Sequence, residues 1–344
     1  MKRIYTVVLI GLGFTLTSCN ATAHTEAVVF PETISLQGEE KAIQDSVYLR
    51  YPFRVRLHDD ILYIMDIHTS GYYIHSFTQK DMRHIASLAH RGEAPTEFLG
   101  TENIRIDEWG DVWTLDANKS KIVKLAKQID GQPVQINLDK ELIRTLDFDR
   151  LNDSVFIVPD YTGQHRISFV DAQGGILKHA FQIPSSTEKE SPIVLAQAWR
   201  SFISYNPNHG ILAMATQLGQ VIEIYDLKNE RVVERIGLDE GAPRFENRGG
   251  YAVPTGIMGY SDIHVGEKYI YALFWGSSFE DIRKRPEDHK EGGRYVHVFD
   301  LKGKPIRKYV IDRHITGFHI DEVSGKMIGL DVNSNQPVVE YVFN

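Results

Sequence analysis

The chain has almost no cysteine: one, Cys19, in 344 residues. An internal disulfide is thereby excluded, and stability has to come from core burial. Net positive charge is lacking too. Lys and Arg number 38 against 46 Asp and Glu, a formal charge of −8, or −10 once Lys2 and Arg3 are set aside. Binding to phosphate backbones needs the opposite sign, so the balance argues against nucleic acid as a partner. After the first apolar run, no stretch reaches the roughly 20 residues that a membrane helix needs. A Gly-x-Ser-x-Gly elbow, a P-loop, a His-Glu-x-x-His pair and a cysteine pair are all missing. No catalytic residue and no metal ligand is therefore assigned.

What is present begins with Met1-Lys2-Arg3, an apolar run over residues 4–16, and Leu16-Thr17-Ser18-Cys19. Two charges, a short apolar segment and small residues before a cut site describe a secretory signal. Leu16-Thr17-Ser18-Cys19 resembles a bacterial lipobox, which implies an acylated Cys19 as the new N-terminus. Acyl chains hold at about 0.8 kcal/mol per buried CH₂. The expectation is a signal peptide over 1–18, a palmitoylated, lipid-anchored tether over 19–27 and one domain over 28–344. The placement expected is the cell envelope, on the outer membrane facing the periplasm, since no acidic run follows Cys19. A monomer is expected.

The domain repeats itself. Six passages carry an apolar strand, a polar turn and a second apolar-aromatic strand. Their second strands centre on Tyr63, Trp113, Phe156, Ala213, Tyr271 and Ile328, with steps of 50, 43, 57, 58 and 57 residues. Third and fourth strands follow, as in Val221-Ile222-Glu223-Ile224-Tyr225, the turn Asp226-Leu227-Lys228-Asn229 and Val232-Val233-Glu234-Arg235-Ile236. The step matches a four-stranded propeller blade with loop insertions. The last passage has three strands, and a spare strand from Val28-Val29-Phe30 to Ile34-Ser35-Leu36 lies near the start. The fold class expected is all-β: a six-bladed β-propeller of four-stranded antiparallel blades, its ring closed by that N-terminal strand. Short helical turns fit only near 191–200 and 278–284.

Arg91-Gly92-Glu93-Ala94-Pro95-Thr96-Glu97-Phe98 resembles the Gly-x-Gly-Pro-Gly-Glu-Phe signature of TolB-like six-bladed propeller lipoproteins. Gly92, Pro95, Glu97 and Phe98 match; Ala94 and Thr96 stand where the family has glycine. The resemblance covers the mature chain and implies a binding platform of the NHL and TolB kind. It implies no chemistry.

His58, His68, His75, His84 and His90 are scattered over one blade and read as ordinary polar positions. Asp59-Asp60 and Asp107-Glu108 read as hairpin turns. Calcium is the ion a propeller channel can take, but no loop here has its ligand pattern; no cofactor is expected. Two long loops stand out, residues 239–260 and 275–294. Topology places them on one rim. They carry Arg244, Asn247, Arg248, Tyr251, Trp275, Arg283, Arg285 and His289, an aromatic and basic set suited to recognition. A second candidate set opens the inner strands: Arg54, Arg105, Arg144, Tyr205, His264 and His319. The function expected is a non-catalytic binding or scaffold propeller for a protein or carbohydrate ligand. The alternative is a metal-dependent, lactonase-like hydrolase.

Overall fold

The computed structural model describes residues 27–44, 47–125, 134–142, 145–184 and 190–343. Cys19, the signal segment and Arg144 lie outside them. The described chain is a six-bladed propeller. Blade 1 is built from Pro52–His58, Ile61–Asp66, Tyr72–Thr78 and His84–His90, and each later blade repeats this antiparallel order. The inner strands of blades 2 to 6 are Ile104–Ile106, Asp149–Arg150, Ser201–Asn206, Tyr260–Val265 and Phe318–Asp321.

Strand periodicity explains the ring. Side chains alternate between sheet faces, and in a propeller both faces of each blade meet a neighbour. Along the second strand of blade 1, Leu62 and Ile64 pack towards Ile328 and Leu330 of blade 6. Met65, next in line, packs towards Ile104 and Val112 of blade 2. The same division recurs between every adjacent pair of blades. Trp113 and Leu115 meet Phe148 and Phe156; Ile157 and Phe169 meet Leu212 and Met214; Ala213 and Ile224 meet Ile263 and Ile270; Leu273 and Val298 meet Phe318 and Met327. The second strands therefore read as near-continuous apolar runs rather than as alternating ones.

The closure differs in detail from the expectation. The apolar segment Thr33–Leu36 does not complete the last blade. It pairs in parallel with the outer strand of blade 5, Pro305–Ile315, as a fifth strand. Leu36 is drawn there by Tyr309, Ile311 and Tyr341. The chain then crosses at Gly38, where an added Cβ would lie 2.3 Å from the Val339 side chain. Glu39–Glu40 supplies the fourth strand of blade 6, Glu39 facing Glu340 and Glu40 facing Val339. Two glutamates do not look like a strand in sequence. They are held by ladder pairing and by Arg313 and Lys41.

The signature loop turns out to be structural. Glu97 accepts from the Ala94 backbone N–H at 2.9 Å and meets His90 Nδ1 at 3.0 Å. A Cβ at Gly92 would sit 1.9 Å from the Glu97 carboxylate, so a larger residue there would displace that side chain. The loop carbonyls of Ala94 and Glu97 accept from the Lys119 ammonium at 2.7 and 2.8 Å. Ala94 and Thr96 do not break this arrangement.

Candidate functional site

The central channel is where most of the inner-strand candidates meet. The inner edge of each first strand leaves backbone N–H and C=O groups without a ladder partner, and buried ones have to be satisfied. Two tiers of side chains do this, one on each side of the apolar residue at the middle of the strand. Asp147 accepts from Ile203 N at 2.9 Å and Phe148 N at 2.8 Å. Asp149 accepts from Tyr205 N at 2.8 Å. Asp262 accepts from Phe318 N at 3.1 Å and Ile263 N at 3.0 Å. Guanidiniums serve the carbonyls: Arg105 donates to Phe148 O and Ile203 O, both at 2.7 Å, and Arg56 to Phe318 O at 3.0 Å.

These groups also pair with one another. Arg56 reaches both oxygens of Asp262 at 3.2 Å. Arg105 lies 3.2 Å from Asp147 and 3.4 Å from Asp149. Asn103 donates to Asp147 at 2.7 Å. Arg54 is fully buried, its guanidinium 3.9 Å and 4.4 Å from the ring centroids of Phe53 and Phe202. Burial pulls the Arg54 pKa down, although Asp262 opposes this. Burial also acts against ionised Asp262, but Arg54 and Arg56 outweigh it and hold the carboxyl below its usual range. Asp149 goes the other way: burial raises it, and Arg105 offsets only part. The sequence reading picked out Arg54 and Arg105 here and missed Arg56, Asn103, Asp147, Asp149 and Asp262.

Below this plug the channel opens, on the side of the turns joining first and second strands, into a funnel of about 460 Å³. Tyr205, His264 and His319 line it, with Asn206, Asn208 and Asp321 at its edge. The imidazoles of His264 and His319 meet edge to face at 5.7 Å. Burial, reinforced by Arg56, lowers His264 to about 4. Burial, with His264 and Arg56 nearby, carries His319 well below the usual imidazole range. Both rings are neutral at pH 7, and His319 Nδ1 is buried without a hydrogen-bond partner.

The long loops share the opposite rim. Residues 239–260 start within α2 (Leu238–Gly241) and contain a hairpin, Phe245–Arg248 with Tyr251–Pro254. Residues 275–294 contain α3 (Phe279–Lys284) and a 3₁₀ turn, Pro286–Asp288. Backbone bonds join the two loops: Met258 N to Ser277 O at 2.8 Å and Trp275 N to Gly259 O at 2.9 Å. The hairpin rests on α1 (Pro192–Ala198), with Phe245 and Ala252 against Ala198 and Trp199. Tyr251 is 68 % exposed. Trp275 is half-buried and stacks on His289 at 5.5 Å and 5°. Yet the rim is charge-balanced rather than basic. Arg248 pairs with Glu246, Lys284 with Glu280 and Arg285 with Asp288. Among the described residues Arg244 and Arg283 are exposed and form no salt bridge. The described candidates thus fall into separate groups: Arg54 and Arg105 in the channel plug, Tyr205, His264 and His319 in the funnel, and the loop residues on the opposite rim.

Residues 29–323 match the family model for the TolB-like 6-blade propeller-like family. The chain belongs to that family. Solved structures repeat the fold at low identity. A member of the DUF4221 family from Bacteroides vulgatus is 12% identical at a TM-score of 0.60, over 90% of this chain and 97% of that one. A putative exported protein from Bacteroides fragilis is 11% identical at 0.53, over 90% and 98%. A streptogramin B lyase is 14% identical at 0.53, over 90% and 98%. No curated protein sequence matches. At these identities the likeness is one of fold, and the site has to speak for itself.

Proposed function

We propose that this TolB-like propeller is a non-catalytic recognition module that seats a neutral polar ligand, such as the end of a glycan, in the funnel of Tyr205, His264 and His319. The observation that carries this reading is the state of the channel carboxylates. Asp147, Asp149 and Asp262 are already spent on backbone amides and guanidiniums. A hydrolytic metal centre at the channel needs several carboxylate or imidazole groups free to converge on one ion. Instead the funnel offers two uncharged imidazoles, each with one donor and one acceptor, a phenol and two asparagines. That inventory suits hydroxyl groups, and the volume lies within the range of small-ligand pockets.

In this reading the module hangs from acylated Cys19 on the outer membrane, facing the periplasm. On the other rim the exposed Arg244, Tyr251 and Arg283 are available to meet a protein. Titration of the purified chain with a panel of neutral and uronic-acid oligosaccharides tests the funnel. His319→Phe and Tyr205→Phe each remove a polar group facing the ligand and should weaken binding about tenfold, the cost of one hydrogen bond lost to a buried partner. Absence of binding across the panel would remove the glycan reading. One observation favours a second reading: the His264 and His319 imidazoles line the funnel, and a neutral imidazole there can take a proton from a bound nucleophile. Turnover of lactone or ester substrates that disappears in His319→Phe would establish an enzyme instead.

A further inference from the structure

A second polar cluster lies on blade 3, away from the channel. Asp160 follows the second strand, Val155–Pro159. His165 opens the third, His165–Asp171, and His179 sits on the fourth, Ile176–Gln182. One ligand atom from each of the three lies within 4.8 Å of the others. Strand register makes the juxtaposition: His179 faces Ser168 across the ladder, and His165 faces Gln182. The two imidazoles are stacked, 4.9 Å apart and 16° from parallel.

Asp160 is the group that needs explaining. Its carboxylate is completely buried. It accepts from Thr162 N and Oγ1 at 2.7 and 2.6 Å and from Ser168 Oγ at 2.9 Å, and it meets His179 Nδ1 at 2.9 Å. Among the described residues no Lys or Arg pairs with it; the adjacent Arg166 is committed to Glu223. A buried carboxylate is ordinarily balanced by a cation. The tautomer of His179 that donates to Asp160, 2.9 Å away, carries its proton on Nδ1 and leaves the Nε2 lone pair bare. A carboxylate that fixes the tautomer of an imidazole is the usual outer partner of a metal-bound histidine. His165 is half-buried, so part of it reaches solvent.

We propose that His165 and His179, oriented by Asp160, bind one divalent transition-metal ion of the zinc, copper or nickel class. Two neutral imidazoles suit these borderline ions and leave positions open to solvent, whereas calcium and magnesium want oxygen. The site lies on the same rim as the two long loops, because the turn between Pro159 and His165 joins a second strand to a third. The proposal is independent of the funnel.

Calorimetric titration of the purified, EDTA-treated chain with ZnCl₂, and electron paramagnetic resonance with Cu²⁺, test it. One Zn²⁺ per chain is expected, no Ca²⁺, and nitrogen splitting in the copper spectrum. His165→Ala and His179→Ala should each abolish this binding, and Asp160→Asn should weaken it about 10- to 100-fold, as loss of an outer partner does. His209→Ala, on another blade, should leave it intact. Should His179→Ala fail to fold by circular dichroism, His165→Gln at its half-exposed position carries the test alone. No zinc binding at millimolar concentration, or binding unchanged in the His165 variants, overturns the proposal.

Discussion

Asp147 serves four partners: two backbone amides, the Arg105 guanidinium and the Asn103 amide. Removing it leaves buried Arg105 short of a counter-charge and Ile203 N–H without an acceptor. Asp147→Ala should therefore cost about 3–5 kcal/mol, the usual penalty for breaking a buried pair from one side. Urea unfolding with an unchanged m-value would show it, and a loss under about 1 kcal/mol would mean that the channel relaxes around the gap. A second residue-scale effect concerns acid. Burial lowers His297 to about 3; it packs against Phe30, Phe274 and Tyr260. The folded state holds this imidazole neutral while the unfolded chain protonates it near 6.5, so its contribution is complete above pH 6.5 and is lost as pH falls towards 3. Between pH 6.5 and pH 5 the loss is about 2 kcal/mol for this residue, at 1.36 kcal/mol per unit. His297→Phe should flatten that part of the stability profile, and an unchanged slope would place the acid sensitivity elsewhere. At this scale the sequence was half legible. Arg54, Arg105, His264 and His319 stand out because basic residues interrupt apolar strands. Asp147 and Asp262 were passed over because an aspartate beside a short strand looks like turn chemistry. The signal was there: they flank the apolar centre of the strand, two residues from the next channel-facing position.

Strands were the most legible elements. All six second-strand centres fall within observed second strands, and the helical turns appear as Pro192–Ala198 and Phe279–Lys284. Apolar runs bounded by Gly and Asn turns survive the averaging of tertiary context. What composition cannot show is a strand made of two glutamates, since backbone pairing alone defines it. Turns, too, carry contacts between blades. Gly174, at φ +89°, closes the hairpin of blade 3, and its carbonyl accepts from Asp139 N at 2.9 Å. A Cβ there would lie 1.7 Å from the Asn137 carbonyl of blade 2. Gly174→Ala is thus both strained and obstructed, and should cost more than the roughly 1 kcal/mol of an ordinary unfavourable backbone swap. Thermal melting of the variant would measure this, a wild-type midpoint being the contrary result. Tyr251→Ala, on the exposed hairpin tip, should instead stay within about 0.5 kcal/mol. That pair of outcomes separates elements that hold the ring from elements that are displayed on it.

At the scale of the molecule, the ring has one seam. The chain runs covalently from each blade to the next, and the closure lies inside blade 6, where the N-terminal Glu39–Glu40 pairs with the third strand, Val338–Val342. Two devices reinforce the closure. Glu39–Glu40 pairs with Val338–Val342, and Thr33–Leu36 binds the outer edge of blade 5, which would otherwise present an unpaired strand. One short segment thus ties two blades to the chain that goes on to form blade 1. A chain starting at Lys41 would lose both pairings and the burial of Val28 and Leu36. Burial of two such side chains stabilises by about 3–6 kcal/mol, before any cost of exposing the blade edges. The shortened chain should melt at a markedly lower temperature and, with its seam open, in a broader transition. It should also associate, because the bare outer strand of blade 5 offers a template for another copy. An unchanged midpoint with monomeric behaviour would show that the side-chain packing of Ile328, Leu330 and Val338 against Val55, Leu62 and Ile64 closes the ring unaided. The funnel reports on the same event. His264 and His319 come from blades 5 and 6, which the segment clamps, so loosening the seam should weaken any ligand held between them in proportion to the stability lost.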